Sequence, residues 1–195
     1  MADAAATGHL NSVKSMHKGL AARKAGYFLQ MSGATVISQD EIKNKRFGES
    51  TDRVFDDWDN LNHLKDEIKK HPNRTVDNYF LDLTKATPHI RSAIVFGPII
   101  YGEGNGPVHR RSIQVPELSR IALERGRGVQ VGKGENRWGN VNIADIAELF
   151  GLLAKKAAEG STEDSVWGEQ GLYFAGAGKE IVSPPFEPTF PKLPY

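Results

Sequence analysis

Leu10, Val13, His17 and Leu20 fall on one helical face in HLNSVKSMHKGLAARKAG, and Gly26 is placed to end that helix. The apolar run YFLQM follows and predicts a short buried strand reaching Ser32-Gly33. From Ser38 to His71 the pattern turns polar and charged. Within it Leu61, Leu64 and Ile68 predict one weakly amphipathic helix capped by Asn60, set in a surface excursion. Val76, Tyr79, Phe80 and Leu83 mark a further helical face that Pro88 stops. IRSAIVF, apolar almost throughout, predicts a strand buried on both faces.

Pro116 fits the first turn of a helix ending near Arg125, and GVQVG predicts a short strand. VNIADIAELFGLLAKKAAEG predicts a strand followed by a helix capped by Asp145, and GLYFAG adds a late strand. Strands alternating with helices imply an α/β fold with parallel pairing. In SPPFEPTFPKLPY the prolines prevent regular helix and ladder hydrogen bonding, so an extended tail packed on the surface or on a neighbour is expected. The expected division is an α/β domain over residues 1–180 and a proline-rich tail over 181–195.

With 195 residues and 39% hydrophobic content, the chain can bury one medium-sized core. The 25 basic and 24 acidic side chains leave a formal charge of +1, so no net field favours nucleic acid or an anionic membrane. The absence of cysteine excludes disulfides, thiolate metal sites and a cysteine nucleophile. No apolar run is long enough to span a membrane, and MADAAATGHLNS lacks the pattern of a secretory signal, so a cytoplasmic location is expected.

IVFGPIIYGEGNGPVHRRS opens from a strand onto Gly102, Gly104 and Gly106, the way many phosphate-holding loops begin. The next convincing helix waits until about Pro116, which does not fit the dinucleotide fingerprint. The carboxylates of DDWD, Asp56 to Asp59, are of the type that suits magnesium or calcium, but without an EF-hand pattern they predict a solvated loop. The six histidines lack zinc spacing and no Gly-x-Ser-x-Gly elbow occurs, so no metal is expected.

Taken together, IRSAIVFGPIIYGEGNGP and VQVGKGENRWGNVNIADIAELF resemble the carboxy-terminal half of the extended short-chain dehydrogenase/reductase superfamily, the NAD-dependent epimerase/dehydratase group, particularly its fungal members. Pro98 to Gly102, Trp138 to Asn142 and Asp145 to Ala147 carry the match, and FLQMSGAT resembles that family's serine strand with Ser32 at the serine. The resemblance covers about residues 2 to 180. It implies a truncated Rossmann-like sheet without the glycine-rich dinucleotide segment that precedes these motifs in complete members. The family's tyrosine with a lysine four positions later is also missing, since Tyr79 and Lys85 stand six apart and face different directions.

By this resemblance, Ser32, Tyr101 and His109 are the expected catalytic residues. Gln30, Pro98, Arg110, Arg111, Gln114, Trp138 and Asn142 are expected to line the substrate pocket. The expectation that follows is a cofactor-independent enzyme of secondary metabolism, isomerising, cyclising or eliminating on a small organic substrate. Two alternatives stand beside it. One is an NAD(P)-dependent epimerase or oxidoreductase whose nucleotide half is absent or supplied by another chain; the other is a non-catalytic binding module. The broken sheet edge predicts a homodimer or higher oligomer that covers it.

Overall fold

The computed structural model describes residues 1–4, 8–23, 25–176 and 181–182. The chain runs through β1 (Ala2–Asp3), α1 (Leu10–Ala21), β2 (Gly26–Gly33) and a 3-10 turn (Ala34–Ser38) into α2 (Gln39–Lys43), α3 (Leu61–Lys70) and α4 (Thr75–Ala86). It continues through β3 (Ile90–Gly97), β4 (Ile99–Tyr101), α5 (Gln114–Arg125), β5 (Arg137–Trp138) and β6 (Asn140–Asn142) to α6 (Ile143–Ala158), β7 (Leu172–Phe174) and β8 (Ile181–Val182). The main sheet has the order β1-β2-β3-β7 and every pairing in it is parallel. Two small ladders, β4 with β6 and β5 with β8, stand beyond it.

Side chains alternate across β2 and β3, so each face of the sheet collects its own apolar layer. Phe28, Ile90, Ile94 and Phe96 meet Val13 and Leu20 of α1, Leu64 and Ile68 of α3, and Val76 and Phe80 of α4. Leu29, Ala93 and Val95 on the opposite face meet Ile146 and Leu153 of α6, with Trp167. The result is a helix–sheet–helix sandwich of Rossmann-like type, as the alternation of elements predicts.

Three local expectations are corrected. GVQVG forms no strand: Gly132 adopts φ +53° and turns the chain. The cap of α6 is Asn142, whose Oδ1 accepts the Ala144 N–H at 2.9 Å, while Asp145 lies in the first turn. The Ser38–His71 excursion contains α2, and its α3 contributes buried Leu61, Leu64 and Ile68 to the core. The proline-rich tail from residue 183 lies outside the described residues. Among the described residues no helix is long and apolar enough to cross a membrane.

Candidate functional site

Parallel strands gather their ligand-facing groups at their carboxyl ends. The end of β2 carries Ser32, on the face that meets α4, and the end of β3 lies beside it with Gly33 in register with Gly97. Ser32 is 1% exposed and donates its hydroxyl proton to Asp77 Oδ1 at 2.7 Å. Arg74, at the head of α4, ties this pair together. Its Nε donates to Asp77 Oδ2 at 2.7 Å, and its Nη2 donates to Ser32 Oγ at 2.9 Å and to the Gly33 carbonyl at 3.0 Å. Its Nη1 reaches outward to Thr35 Oγ1 at 3.3 Å.

Burial raises the pKa of the Asp77 carboxyl above its ordinary value, against the opposing pull of Arg74 and Ser32. In this structure the Ser32 hydroxyl is directed at Asp77 rather than at open solvent. Asp77 accepts that hydrogen bond, and the serine side chain is closed to solvent. Sequence reading missed Arg74 and Asp77 because it sought a tyrosine–lysine pair. A usable signal was present: Asp77 stands among Val76, Phe80 and Leu81 on the buried side of α4, where an acid requires a partner.

Gln30, two residues before Ser32 on the same face, is fully buried. Its Nε2 donates to the Met31 carbonyl at 2.8 Å, and its Oε1 is one of two buried side-chain acceptors without a partner among the described residues, the other being Asn136 Oδ1. Gln30 is enclosed within the sheet layer on the α4 face.

Of the remaining expected residues, Tyr101 and Asn142 stand in the β4–β6 ladder, with Arg110 and Arg111 beside Tyr101. Tyr101 is in register with Asn142, and the two arginines Arg110 and Arg111 join Tyr101, Gly102, Val115 and Pro116 around an open depression of about 470 Å³. Arg110 is committed to its own loop, with Nε on the Gly104 carbonyl at 2.9 Å and Nη2 on Glu103 at 3.0 Å. Asn142 spends its Oδ1 on the helix cap. Pro98 is half-buried against Gly139, and His109, Gln114 and Trp138 are exposed outside the lining of the depression. A second concavity of about 190 Å³, lined by Gly26, Tyr27, His89 and Arg91, sits at the opposite, amino-terminal end of β2 and β3.

DDWD serves the fold. Asp56 accepts from the N–H groups of Trp58 and Asp59, and Asp57 Oδ2 accepts from Phe174 N–H at 2.7 Å, satisfying the edge of β7. Asp40, Glu67 and His71 bring ligand atoms within 4.8 Å of one another. Positive charge already occupies that trio: Arg53 bonds Asp40, Glu41 and Glu67, and Lys70 bonds Asp40. The Lys70 hydrogen bond is the main cause of the lowered Asp40 pKa.

A dinucleotide requires a strand that turns on glycines into a helix N-terminus. The two long strands do not: β2 passes through Gly33 into the 3-10 turn, and β3 through Pro98 into β4. Neither of these strand ends furnishes a pyrophosphate cradle.

No family model matches the chain. It is 34% identical over 183 residues to a protein of Acremonium sp named Oxidase ucsJ, a match covering 89% of this chain and 53% of that one. The chain spans about half the length of this curated relative. Among solved structures it is similar to TunA, an NAD-dependent NDP-hexosamine 5,6-dehydratase involved in tunicamycin biosynthesis, with a TM-score of 0.50, 17% identity, and coverage of 93% of this chain and 55% of that one. The likeness is one of fold, a Rossmann-like parallel α/β sheet flanked by helices. The expectation of cofactor-independent, non-redox catalysis is corrected, because the aligned relative is named an oxidase. The expectation of no cofactor falls with it, since the fold neighbour is NAD-dependent.

Proposed function

We propose that this chain is the substrate-side portion of an NAD(P)-dependent epimerase or oxidoreductase acting on a small organic molecule, with the dinucleotide phosphates held by residues outside the described ones. The observation that carries this reading is the match to an oxidase over 89% of the chain, on a parallel α/β fold whose solved neighbour is NAD-dependent. Ligand access is at the carboxyl ends of β2 and β3 and continues toward the β4–β6 ladder.

In this reading Arg74 takes the place of a tyrosine–lysine pair. Asp77 and Ser32 fix its guanidinium at the strand end, 12% exposed, where it stabilises negative charge developing on a substrate oxygen. Ser32 donates to Asp77 Oδ1, a hydrogen bond that orients the hydroxyl beside the guanidinium. Tyr101 and Arg111 at the open depression orient the substrate's polar end.

The test is the native assembly, purified through a tag on this chain and mixed with small-molecule extract of the producing cells. Absorbance at the wavelength of the reduced nicotinamide is expected to change only when NAD+ or NADP+ is added. Conversion of an extract component with no dinucleotide present overturns the proposal.

A further inference from the structure

Among the described residues, α5 is the one long helix that buries nothing. α1, α3, α4 and α6 each bury at least two side chains, whereas none of the 12 residues of α5 is buried. Its sequence, QVPELSRIALER, is not that of a helix solvated all round. Arg120 closes on Glu117 and Glu124 in a single charged ridge, and away from that ridge Val115, Leu118 and Leu123 are 46%, 52% and 64% exposed. Apolar side chains over so much of one helix call for a cover. The exposed patch continues past the end of the helix into Val129 and Val131.

The place and direction of β8 bear on what covers it. Ile181 pairs with Trp138 and Val182 with Arg137 in antiparallel fashion, so the chain leaves β8 heading back along the loop that leads to the end of α5. A run of direct contacts brings α5 close to this point. Trp138 is followed by Gly139, whose carbonyl accepts the Ile99 N–H at 3.2 Å, and Ile99 opens β4, on which α5 packs. A helix of this length measures about 18 Å. Residues 183–195, with five prolines, would span about 40 Å in the extended conformation that proline favours, so all of α5 is within their reach.

The chemistry of that segment suits the patch. SPPFEPTFPKLPY carries Phe186, Phe190, Leu193 and Tyr195 against one acid and one base. Its prolines have no N–H to satisfy and a fixed φ, so laying it on an apolar helix strands few donors and costs less conformational entropy. We propose that residues 183–195 lie along α5, with Phe186 against Leu123 and Phe190 against Val115 and Leu118. The two phenylalanines stand about 12 Å apart in an extended proline-type chain, as Leu123 and Val115 do along a helix axis. Tethering favours this occupant over a second copy, since the tail arrives at high effective concentration while a second copy gives up translational and rotational freedom. Val115 and Pro116 also line the open depression, so the tail fixes one of its walls whatever the depression binds.

Hydrogen exchange provides the first readout, on the full chain, on a chain ended at Val182 and on the full chain carrying Phe186→Asp with Phe190→Asp. Peptides from α5 are expected to exchange about tenfold faster or more in both variants, while β2 and β3 are unchanged. The second readout is a cross-link between Phe186→Cys and Leu123→Cys by a short bis-maleimide, expected within one chain; the protein has no cysteine of its own to compete. Equal exchange of α5 in the full chain and both variants overturns the proposal. Acceleration of α5 only together with β2 and β3 also overturns it, because the tail then supports the whole fold rather than this helix. Protection of α5 that rises with chain concentration, or a cross-link that joins two chains, shows that a second copy is the cover and overturns it as well.

Discussion

Asp77 and Arg74 are the residues on which the site turns, at 2% and 12% side-chain exposure. Removing one member of such a pair strands the other charge, so Asp77→Ala is expected to cost about 3–5 kcal/mol in denaturant unfolding. The pH dependence has a defined sign. Burial raises the folded pKa of Asp77 above its ordinary, unfolded value, so its contribution to stability is fully present below the unfolded pKa and is lost as pH rises through the folded pKa. Asp77→Asn should flatten this part of the stability profile, while an unchanged profile would show that the carboxyl is not desolvated. Ser32 at a strand end was legible in the sequence. Asp77 could be read as a buried acid that requires a partner, but its pairing with Ser32 could not, because it joins α4 to β2 some forty residues apart through hydrogen bonds that no local spacing encodes.

Elements were more legible than contacts. α1, α3, α4, β2 and β3 follow from apolar period alone, since each turns one face to a core. GVQVG misled because its valines are exposed and its last glycine turns the chain beside Gly48. The polar excursion hid α3 because three apolar positions sit among charges that pair with one another. Leu64→Ala, at a fully buried position of α3, should cost about 2–5 kcal/mol by chemical denaturation. Asn142→Ala should cost about 1 kcal/mol through the lost α6 cap, with Asp145→Ala costing less; the reverse order would restore Asp145 as the cap.

At the scale of the molecule, β1 ends the order of the main sheet and pairs with β2 over two residues only. The outer strand of a sheet is where another chain can add. We propose that a second copy of this chain covers it, and sedimentation at micromolar concentration should show a dimer or larger species; a stable monomer contradicts this. The parallel fold and the strand ends were legible because they rest on periodicity and order. What the chain binds was not, because neither β2 nor β3 runs through glycines into a helix N-terminus that would announce a phosphate site.

The most direct measurement is the dinucleotide content of the native assembly purified through this chain. After denaturation, NAD or NADP is expected in the extract at near one per assembly. An assembly that yields none, and does not quench NADH or NADPH fluorescence at submillimolar concentration, would contradict an NAD(P)-dependent function.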